Sequence, residues 1–199
     1  DLGYFGGIDT MQLKVYYGGG TLNISNGTPA YFLKHDIHSN LAAKPDIEYW
    51  NHNRIINVKI DKEEMPFAFG SNLTDSWDIK LQPDLEYDLK LSYGASTANL
   101  DFRGLNLGQL EIDCGSSDTR LTFGKHNTYA DIDAGASTLS LALPKNYPIT
   151  IVLQGASEGE IEGFTRIGNF YKTSQYVEGT KHLEIMIRAV GGKVKTRFY

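Results

Sequence analysis

Four carboxylates form the densest recurring chemistry in this sequence. Glu111 and Asp113 sit in LEIDC, Asp131 and Asp133 in ADIDA, twenty positions further on. If the two segments lie side by side, Glu111 falls over Asp131 and Asp113 over Asp133, and like charges directly opposite one another destabilise a sheet. Three things relieve such a ladder: neighbouring Lys or Arg, screening by solvent at an exposed face, or a divalent cation held by oxygen ligands. Screening is the default expectation. The four acids are the only metal candidates worth naming, and weak ones, because the glycine-rich, aspartate-containing nonapeptide of calcium-binding β-rolls is absent.

The other reactive residue types are more scattered. His35-Asp36-Ile37-His38 is the densest group of imidazoles. A zinc site needs three or four converging ligands, and on a strand positions 35 and 38 point to opposite faces. The segment therefore reads as a solvated loop. His52, His126 and His182 stand alone. Cys114 is the single cysteine, which excludes a disulfide framework. It reads as a small buried apolar residue rather than a reactive thiol. Glu63-Glu64 reads as charge on a connector rather than a glycosidase pair. No Gly-x-Ser-x-Gly elbow, phosphate loop, dinucleotide fingerprint or His-Glu-x-x-His helix occurs. Tyr16, Tyr49, Trp50 and Trp77 would make a glycan-binding face if exposed together, and core if not. The expectation is a chain with no catalytic residue and no cofactor.

What must position these residues is a repeat. Gly94, Gly115, Gly135 and Gly155 recur at steps of 21, 20 and 20. Apolar residues alternate before each glycine: Leu89, Leu91, Tyr93; Leu110, Ile112, Cys114; Ala130, Ile132, Ala134; Ile149, Ile151, Leu153. Period two marks a half-buried strand. Alternation resumes after each glycine, as in Thr119, Leu121, Phe123. Each unit is thus strand, Gly-Ser turn, strand, turn, the glycines marking structural turns together with Gly191-Gly192. A unit of this size cannot cover its own apolar face, so neighbours must stack. The expected fold is all-β, a β-solenoid in which Leu91, Ile112, Ile132 and Ile151 form one ladder at roughly 4.8 Å steps. The alternative is an antiparallel sandwich of hairpins.

The 199 residues suit a single elongated β domain, less regular over 1–76 and regular over 77–199 with a C-terminal cap. In the first part, 13–24 reads as a divergent copy of the unit, Tyr31-Phe32-Leu33 and 47–60 as strands, and Lys62–Ser76 as a connector with Phe67 and Phe69 tucked beneath it. Net charge is −5 and no basic patch stands out, which argues against nucleic acid. No apolar run is long enough to span a membrane. The chain starts at Asp1 rather than methionine, so a leader, lipid anchor or membrane segment is expected to have been removed. Solenoid ends carry open strand edges, which makes oligomers plausible. Residues 1–12 and 163–176 are candidate caps.

Trp77-x-Ile79-x-Leu81-x-Pro83, Tyr93-Gly94-Ala95, Asp133-Ala134-Gly135-Ala136-Ser137, Leu143-Pro144, Gly163-Phe164 and Gly191-Gly192-Lys-Val194 occur in that order. In these the sequence resembles the bacterial toast-rack family, related to the C-terminal domain of the cell-wall-active antibiotic response (LiaF-type) proteins. The likeness covers 77–199 well and 1–76 more weakly. It implies a solenoid-like domain at the bacterial envelope, extracytoplasmic or tethered to the membrane, or else at its cytoplasmic face. It implies a structural, interaction or stress-sensing role with a protein or envelope component as partner, and supplies no catalytic residues. The competing class is a glycan-binding or glycan-active β-helix domain.

Overall fold

A computed structural model describes residues 1–3, 6–40, 44–62, 74–155 and 158–199. The connector aromatics Phe67 and Phe69, the pair Glu63-Glu64, and Tyr4 and Phe5 lie outside the described residues. Among those described there is no helix, and the strands join into one mixed sheet of seventeen. In chain order they are β1 (Leu2–Gly3), β2 (Thr10–Asn26), β3 (Tyr31–Ser39), β4 (Asp46–His52), β5 (Ile55–Asp61), β6 (Asp75–Leu81), β7 (Glu86–Asp101), β8 (Asn106–Cys114) and β9 (Asp118–Thr122). Then follow β10 (Tyr129–Ala134), β11 (Thr138–Leu143), β12 (Ile149–Gln154), β13 (Glu158–Glu160), β14 (Thr165–Ile167), β15 (Phe170–Lys172), β16 (Leu183–Ala189) and β17 (Lys193–Phe198).

The long strands β2 and β7 explain the architecture. Each bends at a glycine corner into two legs, and elsewhere two shorter strands replace one bent one. The first legs pair in the order β5, β2, β7, β8, β10, β16, β12, all parallel. The second legs run in the matching order β6, β2, β7, β9, β11, β17, β13, again parallel. A first leg and its second leg make one rung, and rungs stack through backbone hydrogen bonds. Antiparallel pairs occur at the ends: β4 on β5, β3 on β6 and β1 on β3 at one end, β15 on β12 and β14 on β15 at the other.

Alternation then decides what is inside. Leu91 lies opposite Ile112, and Ile112 opposite Ile132. All three are at most 1% exposed. Their intervening neighbours face outward. The inward residues of both legs belong to one continuous apolar cluster, so the two rows of legs close on a shared interior, as they must when no single rung can bury its own face.

The ladder differs from the sequence expectation at its far end. Ile132 is followed by Ile187, not by Ile151; β16 is slotted between β10 and β12, and Ile151 pairs with Ile185. The rung of β16 and β17 comes from the last stretch of chain, after the hairpin β14–β15. A similar displacement occurs at the other end, where β2 lies between the rung of β5 and β6 and that of β7. Both insertions satisfy the same rule: an alternating strand of the right length fits any slot that offers two open ladders. The His35–His38 segment is also a strand, not a loop, because it pairs in register with β6.

The inserted rung supports its neighbours on both sides, which sets two expectations. Ile187→Ala should cost about 2–5 kcal/mol, as deletion of buried branched side chains does, read as a fall in the urea midpoint. A chain ended after Thr180 should lose cooperative unfolding altogether, since β10 and β12 would each lose their shared partner.

Candidate functional site

The outward residues of the first legs form columns running along the stack. One column reads Lys59, Lys14, Lys90, Glu111, Asp131, Met186. The next reads Asp61, Tyr16, Ser92, Asp113, Asp133, Arg188. The acids of the sequence therefore do stack in pairs, Glu111 with Asp131 and Asp113 with Asp133. Their repulsion is met from the two flanking rungs. The Lys90 Nζ donates to Glu111, and Arg188 sits 2.7 Å from Asp131 and 3.4 Å from Asp133. The hydrogen bond to Glu111 raises the pKa of Lys90 above the usual lysine value. At Arg188 burial works against the charge, but contacts with Asp131 and Asp133 outweigh it and raise the guanidinium's pKa. Flanking cations, rather than screening alone, thus offset the acidic ladder. Arg188 belongs to the inserted rung, so the sequence spacing gives no hint of it.

Among the described residues no group of three or more His, Cys, Asp or Glu is placed to hold a metal. His35 faces inward opposite Ile79 while His38 faces outward opposite Ser76, so the two imidazoles diverge. His35 lies 3.2 Å from the Asp1 amino group, and burial together with that positive charge lowers its pKa. Cys114 is buried, its Sγ 3.8 Å from the Ser137 hydroxyl. The aromatic residues share no single face. Trp77 is fully buried, whereas Tyr49 and Trp50 are 59% and 51% exposed and point to opposite sides of β4.

The corner glycines are constrained by stacking. A Cβ at Gly94 would lie 2.4 Å from the Gly18 carbonyl oxygen, and one at Gly135 would lie 3.0 Å from that of Gly115. At Gly94 the adjacent corner approaches too closely for a side chain, and at Gly135 it leaves almost no slack. Gly155 adds a backbone reason, with φ at 101°. A thread of buried hydroxyls runs behind these corners: Tyr93 to Thr119 at 2.9 Å, Thr119 to Ser117 at 3.1 Å, Ser117 to Ser137 at 3.1 Å. Burial and the neighbouring Cys114 push the Tyr93 phenol well above its ordinary range.

Two shallow grooves lie over the legs. On the first legs Gln12, Lys14, Asp88, Lys90, Gln109 and Tyr129 border a groove of about 440 Å³. On the second legs Arg120, Lys195 and Arg197 rise around the small residues Ser140 and Ala142, bordering about 540 Å³. The first is lined by mixed charges and amides, the second by mixed charges and hydroxyls, and both are suited to hydrogen bonding with a polar partner.

A polar knot inside the core leaves no trace in the sequence pattern. Lys62 Nζ reaches Asp75 Oδ2 at 2.7 Å, with the two side chains 0% and 4% exposed. The ammonium also donates to Ser39 Oγ at 3.3 Å, and Trp77 Nε1 donates to Asp75 Oδ1 at 3.1 Å. Tyr17 OH donates to the Asp75 carbonyl at 2.7 Å. Each charge is matched and hydrogen-bonded, as a buried pair must be.

Lys62→Ala would leave the Asp75 carboxylate buried without its partner, and should cost about 3–5 kcal/mol in a urea titration. Lys62→Met with Asp75→Asn keeps an acceptor for Trp77 and should recover most of that loss. Calcium should leave the melting temperature unchanged, because Lys90 and Arg188 already occupy Glu111, Asp131 and Asp133. A calcium-dependent rise abolished by Asp131→Asn would show a cation site instead.

The structure is similar to a crystal structure from Clostridium sporogenes, provisionally named a cell adhesion protein, at a TM-score of 0.91 and 24% identity, with 97% of this chain and 94% of that chain covered. A provisionally named adhesin from Bacteroides fragilis is matched at a TM-score of 0.30 and 12% identity, over 96% and 92% of the two chains. No curated protein matches. The family described as the N-terminal domain of toast_rack, DUF2154, matches residues 6–142. That match takes in most of the first 76 residues, where the sequence likeness is weaker, and ends within β11. By this match over more than half its length, the chain belongs to the toast-rack family.

Proposed function

We propose that this chain is a non-catalytic interaction module of a bacterial cell envelope, a flattened β-solenoid with turns of about twenty residues that presents ladders of polar side chains to a partner. The observation that carries this reading is the in-register display on the outer faces: Lys59, Lys14 and Lys90 on three successive rungs, then Glu111 and Asp131 on the next two. Rungs repeat at about 4.8 Å, so a rigid face of this kind matches an extended partner with a repeating unit better than a compact small molecule. Membership of the toast-rack family supports an envelope setting, and the cell adhesion name of the fold neighbour supports interaction over catalysis. An extracytoplasmic position fits both. A stress-sensing role would use the same faces, with the envelope component as the signal.

A second reading, glycan binding, is favoured by the groove over the first legs. Gln12, Asp88 and Gln109 supply paired donors and acceptors there, and Tyr129, 42% exposed, supplies an aromatic face at one end. Such a mixture suits sugar hydroxyls and ring faces.

Co-sedimentation with purified peptidoglycan and flotation with anionic lipid vesicles, run beside a panel of glycoside substrates, test the proposal. Retention on one envelope component without turnover is expected. Release of product from any glycoside would overturn the non-catalytic reading. Tyr129→Ala should weaken peptidoglycan retention several-fold if the groove is the binding surface and leave it unchanged if another face is used.

A further inference from the structure

The stack has to end somewhere, and an ending sheet leaves strand edges. Such edges are usually blunted by shortness, Lys, Pro or bulges, because an open ladder accepts any strand that reaches it. At the far end the terminal strands β13 and β14 are three residues each. At the near end β3 is nine residues long, and among the described residues β1 covers it at Tyr31 and Leu33. The rest of β3 carries Lys34 on an exposed position, the residue type that most discourages a second strand. β4 differs. It has seven residues, Asp46-Ile-Glu-Tyr-Trp-Asn-His52, with no Lys, Arg, Pro or Gly. Among the described residues it pairs with β5 alone, in unbroken register from Asp46 to His52. Its exposed centre holds the aromatic pair Tyr49 and Trp50, 59% and 51% exposed.

The hairpin that carries β4 is well defined. Asn53 and Arg54 take φ of 50° and 66°, the left-handed pair of a two-residue turn whose twist suits flanking strands. Arg54 is tied back to Asp9 at 2.6 Å. The edge is therefore held in a fixed, extended position against the stack.

We propose that β4 is the docking edge for a second copy of this chain. Two copies pair their β4 strands antiparallel about a two-fold axis through Tyr49 and join two stacks into one continuous sheet. An axis at the strand's midpoint uses all seven residues. It places Asp46 opposite His52 of the other copy at both ends, so a carboxylate acceptor meets an imidazole donor twice. It sets Glu48 beside Trp50, with no like charges opposed, and brings the two Tyr49 rings together at the centre. The contact is self-complementary, as a closed dimer requires, and it satisfies the open row of backbone donors and acceptors. Its area is modest, so the dimer is reversible and concentration-dependent.

Residues directly opposite in an antiparallel pair lie about 4.5–5.5 Å apart at Cα, within the span of a disulfide. This makes the register testable. Sedimentation velocity of the full chain should show a dimer that grows with concentration. Tyr49→Lys puts identical charges opposite each other on the axis and should give a monomer with an unchanged melting temperature. Tyr49→Cys should form a covalent dimer under mild oxidation. Asp46→Cys alone should not, but should cross-link when mixed with His52→Cys. Cys114, 2% exposed, stays silent in all of these. A wild-type chain that remains monomeric up to its solubility limit overturns the proposal. So does a dimer that survives Tyr49→Lys, or one that Tyr49→Cys fails to lock.

Discussion

Everything in this fold depends on register between rungs. A strand of alternating character has one face that must leave water, and each rung offers only a thin strip of it. The strip is buried only if the strips above and below fall in line, and a slip by one residue would turn every apolar side chain outward. Leu91, Ile112, Ile132 and Ile187 meet this condition across four rungs. The glycine corners are a secondary result of it. Rungs held at hydrogen-bonding distance along their legs must also approach at their bends, and Gly94 and Gly135 leave room for that.

The charges on the surface follow from the same geometry. Register that aligns apolar residues inside also aligns Glu111 with Asp131 and Asp113 with Asp133 outside. The fold answers this repulsion with cations on adjoining rungs. Lys90 precedes the acids in one column and Arg188 follows them in the next, so charge alternates along the face in blocks and not residue by residue. Exposed ion pairs of this kind add little stability. Their effect is to keep a stacked acidic face tolerable and to leave distinct positive and negative zones on a rigid surface.

How much of this was legible in the sequence depends on where the partners lie. Units at 86–101, 106–122 and 129–143 are consecutive in both chain and space, so period and spacing revealed their ladder directly. The insertion of β16 was not legible, because Leu183-x-Ile185-x-Ile187 fits any open slot equally well and nothing local names its neighbours. The His35–His38 strand was hidden by its polar composition, which reads as loop until β6 is seen to pair with it. Lys62 and Asp75 flank a connector with no period at all, and their meeting inside the core depends on tertiary closure. The acidic pairs of the candidate site were readable; Arg188, which neutralises half of them, was not.

Threading both the first long strand and the last rung into the inner part of the stack has a mechanical consequence. Beyond the two-residue β1, tension applied near either end of the chain does not peel an outer strand away one hydrogen bond at a time. It loads a strand gripped on two sides, and both ladders must shear together before it moves. Resistance to a pull is governed by the rate of that event and not by the equilibrium stability. A molecule arranged in this way is suited to holding under load, and its weak direction lies at the hairpins on the stack's ends, where a single row of bonds can open like a zip.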